Sequence, residues 1–155
     1  AIYAVCWTGV AFSILLTFGV LQTASLAVLC FLYLSVIYGG QTFMTFQWDM
    51  FLIETGFVAF LMRLSVVPGI WLARWLLFRF MFMGGAVKIL SHDPTWRDYT
   101  ALDYHFLTQP LPTTLAWYVH HFPHEILAFM TGAVLVIELF VPFLLFFPRQ
   151  GMQFF

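Results

Sequence analysis

PGIWLARWLLFRFMFMGGAVKILSHDPTWRDYTALDYHFLTQPLP, residues Pro68 to Pro112, carries seven of the thirteen formal charges of a 155-residue chain that is otherwise mostly hydrocarbon. Its first 23 residues, Pro68 to Leu90, read as one membrane-spanning helix bearing Arg74, Arg79 and Lys88. An arginine near mid-helix costs about 2.5 to 3.5 kcal/mol on insertion scales, so such a residue faces protein or water and has a partner. With about 100° between residues, Arg74, Phe78, Met81, Gly85 and Lys88 share one stripe, while Arg79 points to another side. Two directions of positive charge require acidic groups on other segments, and Asp49, Glu54 and Glu138 are available.

Composition places the rest of the chain in the same setting. It is 63% hydrophobic, 21% aromatic and 8% charged with a mean hydropathy of +0.94, far outside the range of soluble domains. A net charge of −1 gives no basic surface for nucleic acid. Cys6 and Cys30 lie inside apolar runs without metal-ligand or CxxC spacing and read as small buried hydrophobes. The chain begins in mid-run without an initiator methionine and is expected to be a portion of a longer protein.

No Asp, Glu, Lys, Arg or His occurs before Asp49, and Gln22-Thr23 interrupts the opening apolar run. Two helices are predicted there, Ile2 to Leu21 and Ala24 to Tyr38, with Gly39-Gly40-Gln41-Thr42 ending the second. From Asp49 to Arg63 the charges suit a helix dipole, but the apolar core between them is only about 13 residues, short for a full crossing. A re-entrant or tilted helix is expected. Glu54 lies about 140° around from Asp49, which disfavours a same-face carboxylate pair.

Asp93-Pro94 reads as a helix cap followed by a first-turn proline, and Trp96, Tyr99, Thr100 and Asp103 suit the membrane-water boundary. Gln109-Pro110-Leu111-Pro112 breaks the chain, Thr113 or Thr114 caps another short helix, and Pro123 interrupts it. A last span runs from Glu125 to Phe147, with Glu138 inside it and Pro148-Arg149 at its end. The fold expected is all-α: a polytopic transmembrane bundle in residues 1–155, a single domain of about four spanning helices, with interfacial helices in the polar connector. If Arg63, Arg74 and Arg149 gather on one side, the 91–123 connector lies on the exoplasmic one.

Asp49, Glu54, Arg74, Arg79, Lys88 and Glu138 are the expected buried polar network, either fixing helix register or lining a polar cavity. Lys88 can snorkel to the interface or, if desolvated, act as a base, which makes it the only catalytic candidate. His120, His121, His124 and Glu125 do not follow the His-Glu-x-x-His pattern and Pro123 disturbs their register, so no metal site is expected. No cofactor is expected either, since no nucleotide-binding glycine loop is present.

Several blocks carry a family likeness: Phe46-Gln47-Trp48-Asp49 with Glu54-Thr55-Gly56-Phe57, Arg74-Trp75-Leu76-Leu77-Phe78-Arg79, Gly85-Ala86-Val87-Lys88, Asp93-Pro94-Thr95-Trp96-Arg97-Asp98-Tyr99-Thr100-Ala101-Leu102, Tyr104-His105 and Thr108-Gln109-Pro110-Leu111-Pro112-Thr113. With Ala116-Trp117-Tyr118 and Glu138-Leu139, they make the chain resemble the lipase maturation factor family over about Gly39 to Pro148. The resemblance implies a polytopic membrane protein, in the endoplasmic reticulum membrane of a eukaryote or the inner membrane of a bacterium, and in vertebrates one that helps dimeric lipases mature. A weaker similarity to the membrane domain of vitamin-K-dependent carboxylases would make Lys88 a base. The leading expectation is a non-catalytic maturation factor whose connector contacts a protein client through Trp96, Arg97, Asp98, Tyr99, Tyr104 and His105, with membrane lipids around it. An accessory subunit of a larger respiratory or photosynthetic membrane complex is the alternative, and an enzyme using Lys88 the third.

Overall fold

The computed structural model describes residues 2–44, 46–111 and 113–147, and among these the only regular structure is helical. The helices are α1 (Ile2–Thr17), α2 (Gln22–Gly40), α3 (Gln47–Leu64), α4 (Val66–Leu90), α5 (Pro94–Arg97), α6 (Ala101–Thr108), α7 (Thr114–His120) and α8 (His124–Leu139), with 3-10 turns at Gln41–Met44 and Val141–Phe146. Three stretches are long and apolar enough to cross a membrane: Gln22–Met44, Val66–Leu90 and His124–Phe146. The chain forms two compact units, Ala1–Leu76 and Leu77–Phe155.

In the first unit α2 packs against α1 and α3. α1 ends at Thr17, earlier than the apolar run suggests, because Gly19 takes the left-handed φ of +75° that few other residues reach without strain. The Val20 N–H then bonds back to Leu15 and that of Gly19 to Leu16, a Schellman closure of the helix end. Gln22 and Thr23, read as the break, instead begin α2. At 16 residues α1 is about 24 Å long, below the roughly 30 Å of a hydrocarbon core. α3 is one continuous helix of 18 residues with Asp49 in its first turn and Arg63 in its last.

α4 starts at Val66, two residues before the expected Pro68. A proline within the first turn removes no helical hydrogen bond, since those N–H groups have no partner in the helix. In the second unit Asp93 caps α5, its Oδ1 accepting from the Thr95 N–H at 2.9 Å, and Thr113 caps α7 through Ala116 N–H at 3.3 Å. Each such cap is worth about 1 kcal/mol. α8 stops at Leu139 because Pro142 has no N–H to give the Glu138 carbonyl, and the chain continues as the 3-10 turn. Pro112, Pro148 and Arg149, invoked for the connector break, the end of the last span and the charge asymmetry, lie outside the described residues.

α4 meets α8 closely at Gly85, which is buried; a Cβ there would fall 2.9 Å from Leu139 Cγ and 3.0 Å from Glu138 Cβ. At Gly84 the nearest atoms would be 3.7–3.8 Å away, ordinary contact. Gly85→Ala should therefore force these helices apart and cost about 1 to 3 kcal/mol, seen as a lower unfolding temperature in detergent, whereas Gly84→Ala should leave it within error of the parent.

Candidate functional site

Ionised groups in a low-dielectric setting are stable only in company, so the partners of each one define the site. Lys88, in the last turn of α4, extends its ammonium to both carboxylate oxygens of Glu138 on α8, each at 2.5 Å. Their side chains are 22% and 20% exposed. The ammonium also lies 5.1 Å from the centroid of the Trp96 ring on α5. Carboxylate and indole together surround the cation from two helices, and the indole adds about 0.5 to 2 kcal/mol of cation–π attraction. A Cβ at Gly84 would lie in ordinary contact with the carboxylate, 3.7 to 3.8 Å away. Lys88 thus does not reach away from the protein along the helix axis; it joins α4, α5 and α8.

Aromatic rings extend the same contact. Phe78 and Phe82 stack on one another at 5.4 Å, and both meet Phe143 edge-on, at 5.1 and 5.8 Å. Phe78 also meets Phe146 at 5.2 Å. Of the stripe read from the sequence, Phe78, Gly85 and Lys88 face α8 and its 3-10 extension, as the helical period requires.

The other expected network members are placed elsewhere. Asp49 accepts a 2.7 Å hydrogen bond from the Tyr33 hydroxyl of α2, which ties the start of α3 to its neighbour. Arg74 lies 5.3 Å from the Trp71 ring one turn earlier. Glu54 is half-buried in α3 and Arg79 lies in α4. Tyr33 was not singled out by the sequence; the available signal was a phenol within an apolar helix, which needs an acceptor when buried.

The connector residues form a structured surface. Arg97 donates to His92 Nδ1 at 2.6 Å, and the Gln109 amide donates to His105 at 2.7 Å. Tyr99 adopts φ 58°, an unusual conformation for a bulky residue, and fills the C′ position of α5 that glycine commonly takes. The Thr100 N–H closes this turn on the Thr95 carbonyl at 2.9 Å. Arg97, Asp98, Tyr99, Tyr104 and His105 are exposed, and Trp96 is half-buried beneath Lys88.

The histidines are divided among separate partners. His121 donates to the Trp117 carbonyl at 2.6 Å, His124 meets Asp103 at 2.9 Å, and the buried Nδ1 of His120 has no hydrogen-bond partner among the described residues. No group of three metal-ligating side chains occurs among the described residues. The His124–Asp103 contact, which joins α6 to the first turn of α8, could not be read from sequence because 21 residues separate its members.

Comparison with known proteins adds a whole-chain relationship. The family model described as "Lipase maturation factor transmembrane domain" matches residues 1–155. Lipase maturation factor 2 of Gallus gallus is 44% identical over 142 residues, covering 83% of this chain and 20% of its own length. Its Homo sapiens counterpart is 40% identical over 141 residues, 78% of this chain and 20% of its own. Lipase maturation factor 1 of Homo sapiens is 37% identical over 155 residues, 92% of this chain and 27% of its own. The chain spans between 20% and 27% of the length of these relatives. No solved structure matches it.

Removing one member of the Lys88–Glu138 pair strands the other. Lys88→Met is expected to destabilise the protein by about 3 kcal/mol, the low end for a buried pair because both groups keep some exposure. Lys88→Met combined with Glu138→Leu should recover most of that loss, as measured by a double-mutant cycle of unfolding in detergent.

Proposed function

The chain belongs to the lipase maturation factor family and is an integral membrane protein, and from this we propose that it is the membrane-embedded part of a non-catalytic maturation factor for a lipase client. In a eukaryotic host it would work in the endoplasmic reticulum membrane. The observation that carries the non-catalytic reading is the state of Lys88, whose ammonium is engaged by Glu138 and covered by Trp96. A general base must reach a substrate proton, and this side chain is instead engaged by Glu138 and covered by Trp96 between helices. A clamp suits a scaffold.

In this reading Asp49, Glu54, Arg74, Arg79, Lys88 and Glu138 fix helix positions within one membrane domain, and α1 inserts beside α2 as a fourth apolar element. α3 lies tilted or partly inserted, since its 18 residues, about 27 Å long, carry three charges. The client meets the connector through Arg97, Asp98, Tyr99, Tyr104 and His105, with Trp96 holding that surface to α4. The support is their exposure and the ordering of their segment by caps and turns.

Replacing these residues in pairs, Arg97→Ala with Asp98→Ala and Tyr104→Ala with His105→Ala, should lower the yield of active co-expressed lipase several-fold while membrane insertion is unchanged. Lys88→Arg, which keeps the charge but is a far weaker proton acceptor, should retain most of that yield. Loss of maturation in Lys88→Arg with stability intact would instead point to proton chemistry. Unchanged lipase yield in both pairs, with a fixed stoichiometric partner copurifying, would mark an accessory subunit.

A further inference from the structure

The first unit holds a cavity of its own. α1, α2 and α3 together line a partly open groove of about 410 Å³, with Gly9 and Ser13 contributed by α1, a stripe from Leu26 to Val36 by α2, and Gly56 by α3. The α2–α3 side is tight, since a Cβ on Gly56 would fall 2.9 Å from the Cys30 sulfur. The α1 side is loose, since a Cβ on Gly9 would meet nothing within 4 Å. Cys30 lines the groove half-buried, and Cys6 lines it exposed at the edge rather than buried as its apolar run suggested.

Shape and chemistry narrow what can fill it. Leu26 to Val36 is about 15 Å of helix, so 410 Å³ spread along it leaves a cross-section of about 27 Å², roughly 6 Å across. A helix with its side chains is about 10 to 12 Å wide and does not enter. Water is a poor filler, because a buried water needs two or more polar partners and the polar lining groups are already committed. The Ser13 hydroxyl donates to the Gly9 carbonyl at 2.8 Å, and that of Tyr33 donates to Asp49 at 2.7 Å. A long, narrow, apolar groove without a free donor selects an unbranched hydrocarbon chain. In an integral membrane protein the hydrocarbon at hand is the acyl chain of a phospholipid.

We propose that the groove between α1, α2 and α3 is a binding site for one acyl chain of a membrane phospholipid, held as a resident lipid that does not exchange freely with the bilayer. The bound chain supplies the contacts that side chains do not make on the Gly9 side of α1, and so packs this helix of 16 residues against its neighbours. Binding of this kind is structural and stands whether or not the protein matures a lipase.

The test uses the whole protein, taken from phosphatidylcholine vesicles into mild detergent, with retained phospholipid counted by mass spectrometry. The parent should keep one phospholipid per chain through extensive washing. Gly9→Leu puts a side chain into the groove and should keep several-fold less with no loss of thermal stability; if it folds poorly, Val5→Phe narrows the same groove. Gly39→Leu, at a helical glycine that also has open space but does not line the groove, should retain lipid as the parent does. In vesicles, a phosphatidylcholine bearing a diazirine on one acyl chain should crosslink more strongly at Cys30 and Gly56 than at the outward Phe31 and Leu34, and Gly9→Leu should remove that preference. Equal retention by Gly9→Leu and the parent, or crosslinks no stronger in the groove than at Phe31 and Leu34, would mean bulk acyl chains only and overturn the proposal. A bifunctional thiol reagent on Cys30 that captures another segment of the whole protein, with no lipid crosslink in the groove, would mean that a protein segment covers it and would overturn the proposal as well.

Discussion

The contact between the Lys88 ammonium and the Glu138 carboxylate is the constraint on which the second half of the molecule depends. Two apolar helices in lipid gain little from the hydrophobic effect by touching, because acyl chains cover them as well as a neighbouring helix does. What gives them a particular register is the cost of leaving a charge unpaired in a low-dielectric environment, several kcal/mol in mutational terms. One lysine and one glutamate, placed where Gly85 lets the backbones approach, select a single alignment of α4 on α8. The phenylalanines at 78, 82, 143 and 146 then pack in that alignment.

From this register come the features of the connector. Because α8 extends past the end of α4, its first turns need other partners, and Tyr99, Asp103 and α6 provide them on one side. Trp96 joins the two arrangements, since it covers Lys88 from a helix that Asp93 caps. The left-handed backbone at His92 and Tyr99 turns the chain sharply on both sides of α5. A short capped helix held this way is a more defined surface than a free loop of equal length, because its ordering cost is met within the fold rather than on binding.

Family membership and local structure bear on different questions. The match over residues 1–155 assigns the chain to lipase maturation factors, while it spans only 20% to 27% of the relatives' length.

Much of this was legible in the residues. Hydrocarbon content and run length announced membrane helices, the Asp93-Pro94 pair and Thr113 announced helix starts, and Pro123 announced the break before α8, because each acts through its own local backbone. The helix ends were harder: Gly19 closes α1 through a hydrogen-bond pattern that polarity does not reveal. The charged residues could be named but not paired. Sequence determined that Lys88 and Glu138 needed partners, since desolvation is a property of the group and its apolar surroundings. Only the tertiary structure decided that they choose each other across 50 residues, that Tyr33 serves Asp49, and that α8 overruns α4, because pairing and register depend on which helix faces meet.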